Sequence, residues 1–137
     1  GVSIDDYNKA DLIILGVSRT GKTPVCLYLA IQFGLFCANY PLTEEDFSDG
    51  VLPAILRPFR GRLFGLTIDS DRLCQIRSER RPNSRYSSRQ QCEYELAQGQ
   101  AVFRHQAIPF ADTTQMSIEE IGTTILQKMQ IRRELRG

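Results

Sequence analysis

Residues 10–23 read ADLIILGVSRTGKT, an apolar run that leads directly into a loop flanked by glycines. The apolar run at residues 10–15 is typical of a strand buried in a parallel sheet. Residues 22–33 carry apolar side chains at helical spacing, and Gly34 follows them, as glycine commonly does at the end of a helix. We therefore predict a strand, a loop and a helix in direct succession.

The loop itself, GVSRTGKT at residues 16–23, matches the phosphate-binding pattern G-x-x-x-x-G-K-[ST] in full. Its glycines let successive N–H groups point inward, and the helix that follows presents its positive end to an anion. Lys22 would supply a point charge for the outer phosphates, and the Thr23 hydroxyl would ligate a Mg²⁺ that bridges phosphate oxygens. We predict that this P-loop binds a nucleotide through Gly16, Val17, Ser18, Arg19, Thr20, Gly21, Lys22 and Thr23.

Strand-like and helical patterns alternate along the rest of the chain. Strand-like runs lie at residues 36–40, 63–69 and 106–111, and helical patterns at residues 43–46, 70–80, 88–103 and 118–133. This alternation predicts an α/β fold, a P-loop nucleotide-binding fold with a mostly parallel sheet flanked by helices. Ligands of such sheets bind at the carboxyl ends of the strands, where the loop and Asp69 are expected.

Length and composition limit the remaining possibilities. A chain of 137 residues suits one compact domain, so we expect a single P-loop domain over residues 1–137, from a longer protein. No apolar run approaches membrane-spanning length, and the N-terminus lacks a signal-peptide pattern. The four cysteines form no C-x-x-C pair, which argues against a zinc site and favours a reducing compartment. We expect a cytoplasmic protein with no membrane partner.

Asp69 has two possible roles. It ends an apolar strand-like run, as the acidic partner of a nucleotide-bound Mg²⁺ does. It also directly precedes a helical pattern, where an aspartate commonly caps the helix. The sequence leaves both roles open, and we include Asp69 with Lys22 among the predicted catalytic residues and with Thr23 among the predicted metal ligands.

Arginine supplies 14 of the 17 basic residues, and nine arginines fall between residues 57 and 89. Phosphoryl transfer needs positive charge around the transferred group, which arginine provides in bidentate form. A lid over the substrate is therefore predicted from arginines that share a helical face and from others beyond Pro82: Arg77, Arg80, Arg81, Arg85 and Arg89. Of these, Arg80, Arg81 and Arg85 are predicted catalytic residues. Nucleic-acid binding is the competing use of the same charge, and the net charge of +1 argues against it.

Several strings besides the loop carry a family resemblance. They are LYLA at residues 27–30, ANYP at 38–41, LFGLTID at 63–69 and RRPNSRY at 80–86. Together with the loop and its following proline, they resemble the phosphoenolpyruvate synthetase regulatory proteins, whose close relatives regulate pyruvate, phosphate dikinase. The string NSRY is much more specific than the loop alone. The resemblance implies that this chain corresponds to the C-terminal, nucleotide-binding half of such a protein.

The resemblance implies a bifunctional regulator of phosphoenolpyruvate synthase or pyruvate, phosphate dikinase. One activity is an ADP-dependent serine/threonine protein kinase that inactivates the target by phosphorylating a threonine. The other is a phosphorylase in which inorganic phosphate removes the phosphoryl group and releases pyrophosphate. The loop at residues 16–23 matches the family's ADP-binding motif. Reasoning from the residues alone leaves open a small-molecule P-loop kinase and a non-catalytic nucleotide-binding module.

Overall fold

A computed structural model describes residues 4–47 and 50–129 of the chain. Its four strands are β1 (Leu12–Val17), β2 (Cys37–Leu42), β3 (Leu63–Thr67) and β4 (Phe110–Asp112). Its five α-helices are α1 (Ile4–Lys9), α2 (Lys22–Phe33), α3 (Ser70–Arg80), α4 (Arg89–His105) and α5 (Ile118–Met129). Two 3₁₀ segments, Glu44–Asp46 and Ala54–Arg62, lie between β2 and β3.

The four strands form one sheet in the order β2-β1-β3-β4, and every neighbouring pair is parallel. Every residue of β1 and β3 is buried, because these two central strands are covered on both faces. The predicted α/β class, with a parallel sheet flanked by helices, is therefore confirmed. Within the described residues, no helix is both long and apolar enough to cross a membrane.

Different helices cover the two faces of the sheet, because successive side chains of a strand point in opposite directions. Leu12 and Ile14 of β1 pack in a core with α2 and α5. Ile13 and Leu15 pack in a second core with α3 and α4. A methyl group at Gly65 of β3 would approach the Phe103 ring to 2.5 Å, so glycine at this position lets α4 pack against the sheet.

Strand boundaries differ from prediction in all four strands, with β1 at residues 12–17 and not 10–15, and β2 at residues 37–42 and not 36–40. β3 ends at Thr67, two residues early, because Asp69 has left the strand to cap α3. β4 occupies residues 110–112 and not 106–111. The reason is that α4 continues to His105, and the amides of residues 106–108 still donate hydrogen bonds to carbonyl oxygens of α4. The 3₁₀ segment at residues 54–62 was not predicted.

The last predicted helix, over residues 118–133, is confirmed as far as Met129, and residues 130–133 lie outside the described residues. A single domain over residues 1–137 stays a prediction, because the structure does not describe the whole of that range.

Candidate functional site: the loop after β1 and its cavity

The loop between β1 and α2 is tightly curled. Arg19 and Gly21 both have positive φ, at 73° and 96°. A Cβ atom on Gly16 would lie 2.5 Å from the Thr20 hydroxyl oxygen and 3.0 Å from the Leu66 carbonyl oxygen, so only glycine fits there. The predicted succession of strand, loop and helix is present, and it turns the chain sharply at the carboxyl end of β1.

The first turn of α2 has no side chain that caps its free backbone amides and no acidic residue that offsets its positive end. Its N-cap, Gly21, offers no side-chain hydrogen bond, and no acidic residue lies in the turn. By contrast, Asp69 caps α3, Ser88 caps α4, and Ser117 forms a capping box with Glu120 at the start of α5. The amide groups of the first turn of α2 therefore keep their capacity to bind an external anion.

Lys22 places a buried cation at the same helix start. Its side chain is 7% exposed, and its Nζ donates a hydrogen bond to the Val17 carbonyl oxygen over 2.8 Å. Burial, followed by repulsion from Arg77 and Arg19, lowers the pKa of Lys22 to about 8. No acidic side chain of the described residues forms an ion pair with it. A bound anion would therefore relieve an electrostatic cost that the folded chain carries here.

A cavity of about 650 Å³ opens beside the loop, at the carboxyl ends of the strands. This position is the one expected for ligands of a parallel sheet, and the volume is in the range of small-molecule sites. Beyond the loop, the polar lining residues are Asn39, Arg72, Thr113 and Thr114. The apolar lining residues include Ile68, Ile76, Met116, Ile118 and Ile121. The cavity therefore joins a cationic loop to apolar side chains, a combination that suits a nucleotide.

Arg77 connects the loop to neighbouring elements of the fold. Its side chain is fully buried and forms an ion pair with Glu95, with Nη2 and Oε1 2.9 Å apart. It also donates hydrogen bonds to the carbonyl oxygens of Ser18, over 3.1 Å, and Tyr86, over 3.0 Å. The Tyr86 hydroxyl in turn shares a 2.7 Å hydrogen bond with the Ser18 hydroxyl. We call Ser18, Arg77, Tyr86 and Glu95 the loop clamp, because they fasten the loop to α3, α4 and residues 84–87.

Comparison with known proteins identifies the family to which this chain belongs. A family model described as kinase/pyrophosphorylase matches residues 1–126. The chain belongs to the kinase/pyrophosphorylase family. The resemblance inferred from the sequence is thereby confirmed. No solved structure gave a significant match.

Three relatives illustrate this kinase/pyrophosphorylase family. A protein of Halorhodospira halophila is 55% identical over 135 residues, which cover 98% of this chain and 50% of the relative. One from Marinobacter nauticus is 52% identical over 133 residues, or 97% of this chain and 49% of the relative. One from Legionella pneumophila strain Corby is 51% identical over 135 residues, or 98% and 50%. All three carry, as a provisional assignment, the name phosphoenolpyruvate synthase regulatory protein. The chain spans about half the length of the curated relatives it matches.

The arginines predicted to form a lid have different positions in this family member. The prediction that Arg77 belongs to the lid is wrong, because its side chain is fully buried in the loop clamp. Arg81 follows the end of α3, and its guanidinium lies 5.7 Å from the centre of the Tyr86 ring. Arg85 forms an exposed ion pair with Glu44. Arg80, Arg81 and Arg85 do not line the cavity, and their catalytic role stays a prediction.

Asp69 has the capping role that the sequence left open. Its carboxylate accepts a hydrogen bond from the Arg72 amide over 3.1 Å, and its own amide donates to the Thr114 hydroxyl over 2.8 Å. It does not line the cavity, and its role as a Mg²⁺ ligand stays a prediction. Thr23 is exposed and lines the cavity, and its role as a Mg²⁺ ligand stays a prediction.

Four polar cavity residues were missed by the sequence reasoning: Asn39, Arg72, Thr113 and Thr114. Thr113 and Thr114 directly follow β4, and Asn39 lies within β2, in the ANYP string. The rule that sites gather at the carboxyl ends of strands would have found the two threonines if the end of β4 had been placed correctly. The burial of Arg77 also had a signal, since it lies one helical turn after the buried Leu73.

Proposed function

We propose that this chain binds ADP with its diphosphate on the loop at residues 16–23, and that it serves an ADP-dependent protein kinase with an opposed phosphate-dependent phosphorylase activity. The observation that carries this proposal is the start of α2. There an uncapped first turn and a buried ammonium group, which has no acidic partner among the described residues, meet at one cavity. The family description supports both activities, and the names of the relatives point to phosphoenolpyruvate synthase as the target.

In the kinase direction, the hydroxyl oxygen of a target threonine forms a bond to the terminal phosphorus of ADP. The bond from that phosphorus to the bridging oxygen breaks, AMP leaves, and the hydroxyl proton is released. In the phosphorylase direction, an oxygen of inorganic phosphate attacks the phosphorus of the phosphothreonine, and the bond from that phosphorus to the threonine oxygen breaks. Pyrophosphate forms, and the threonine oxygen regains a proton. Both reactions transfer a phosphoryl group between a diphosphate and a threonine, so one diphosphate seat serves both.

The residues of this chain would act mainly by placing charge. The amides of the first turn of α2 hold phosphate oxygens, and Lys22 stabilises the charge of the diphosphate. A Mg²⁺ on the phosphates would neutralise part of that charge, with the Thr23 hydroxyl as its ligand. The apolar residues of the cavity, among them Met116 and Ile118, are available to the adenine ring. An open cavity leaves the terminal phosphate accessible to a macromolecular acceptor.

Calorimetric titration with ADP tests the seat directly. We expect Lys22→Met to weaken ADP binding at least about tenfold, which corresponds to about 1.4 kcal/mol. Lys128→Met, at an exposed lysine of α5, is the matched control and should bind ADP as the unmodified chain does. Equal ADP affinity in the Lys22 variant and the control would exclude the loop as the diphosphate site.

Transfer is tested with ADP labelled in its terminal phosphate and purified phosphoenolpyruvate synthase. We expect label in a threonine of the target, and its release as pyrophosphate when inorganic phosphate is added. Label that appears only in a small metabolite would make the chain a small-molecule kinase. ADP binding without any transfer would make it a nucleotide-binding module.

A further inference from the structure

We infer that Arg72 contacts the terminal phosphate of the bound nucleotide and makes the cavity select ADP over AMP. This inference rests on the proposed function, because it assumes that the diphosphate lies on the loop. Arg72 is in the first turn of α3, and it lines the same cavity as Lys22 and the rest of the loop. With Arg19 and Lys22 of the loop, it is the third cationic residue that lines the cavity where the diphosphate would lie.

The other arginines of this segment have different surroundings. Arg77 is paired with Glu95, Arg85 with Glu44 and Arg89 with Asp71. Arg80 and Arg81 do not line the cavity. Among the arginines of residues 72–89, Arg72 alone lines the cavity, and its guanidinium forms no ion pair to any described residue.

The location of Arg72 on its helix is electrostatically unfavourable without a ligand. A cation in the first turn of a helix opposes the helix dipole, which disfavours it there. Neither acidic side chain at this helix start forms an ion pair with the Arg72 guanidinium, because Asp69 accepts from the Arg72 backbone amide and Asp71 pairs with Arg89 over 2.8 Å. An anion in the cavity would compensate the Arg72 charge, as it would the charge of Lys22.

The chemistry of a guanidinium fits a terminal phosphate. Arginine donates two parallel hydrogen bonds to phosphate oxygens. The terminal phosphate group of a diphosphate has more non-bridging oxygens than the inner phosphate group. AMP lacks that terminal group and would leave Arg72 without its partner. Arg72 thus adds to the preference for ADP over AMP that Lys22 of the loop already favours.

The test compares ADP and AMP titrations of the unmodified chain with those of three variants. Arg72→Gln should weaken ADP binding at least about tenfold and change AMP binding less than about twofold. Arg72→Lys should keep part of the ADP affinity, since it retains the charge and loses the bidentate geometry. Arg104→Gln, at an exposed arginine of α4 outside the cavity, is the matched control and should change neither.

Two results would overturn the inference while the proposed function stands: ADP affinity of Arg72→Gln equal to that of the control, or equal losses for ADP and AMP. Failure of the unmodified chain to bind ADP would instead overturn the proposed function, and the inference with it. The thermal unfolding midpoint of each variant, which should match that of the control, excludes loss of the fold as the cause.

Discussion

Helices α2 and α3 both follow a central strand of the sheet and both contribute to the cavity, yet their first turns are electrostatic opposites. α2 begins at Gly21 without a cap or an acid, and it carries the buried Lys22. α3 begins at Asp69 with its cap in place, and it carries the exposed Arg72. The comparison teaches that the backbone amides at the start of α2 are available to an external anion, whereas the start of α3 has its own cap and contributes a side chain.

The link between the two helices is the loop clamp, and breaking it should have the largest effect. Glu95→Gln removes the carboxylate that faces the fully buried Arg77. We expect unfolding free energy to fall by about 3 kcal/mol, because the buried guanidinium loses its counter-charge. Urea denaturation measures the loss. ADP affinity should fall as well, because Arg77 also holds the Ser18 carbonyl oxygen of the loop.

Glu44→Gln is the matched control for the clamp, since it breaks the exposed pair with Arg85. Solvent-exposed pairs contribute only about 0–1 kcal/mol, so this variant should unfold nearly as the unmodified chain does. Equal destabilisation of the two variants would show that the Arg77 pair does not hold the loop in place.

The start of α2 should respond to pH through Lys22, with a smaller effect. Its pKa is lowered to about 8 in the free protein, and a bound diphosphate raises it. ADP affinity should therefore be level below pH 8 and should decrease above it, by up to about tenfold per pH unit. Titrations at pH 8.5 in buffers of different ionisation enthalpy should detect proton uptake on binding. The Lys22→Met variant should show no such uptake from this position.

The same pKa predicts the sign of a stability change. Lys22 has an ordinary pKa of 10.5 when unfolded and about 8 when folded, so the unfolded chain binds more protons between those values. Its contribution to unfolding free energy should rise with pH from about 8 to 10.5. Subtracting the profile of Lys22→Met isolates this contribution from the tyrosines and cysteines. A difference profile that is flat over this window would contradict the buried, acid-free environment.

The contrast between the two helix starts also explains what the sequence could reveal. The loop was predictable because strand, glycines, lysine and helix are consecutive, so local rules of backbone geometry determine its form. The arginine segment was not, because Arg77 depends on Glu95, which is 18 residues away on another helix. Arg72 was missed because its relevance depends on where β3 ends and on which wall of the cavity α3 forms.

Substitutions of Asp69 at the start of α3 should have the smallest effect on stability, and they distinguish its capping role from the predicted Mg²⁺ role. Asp69→Ala should lower unfolding free energy by about 1 kcal/mol through loss of the cap, whereas Asp69→Asn should keep it, because asparagine caps equally well. The predicted Mg²⁺ role makes a different demand, since both variants lack the carboxylate. If Asp69 ligates Mg²⁺, both variants should lose the gain in ADP affinity that Mg²⁺ gives the unmodified chain. A full Mg²⁺-dependent gain in Asp69→Asn would limit this residue to its cap and leave the metal to Thr23 and the phosphates.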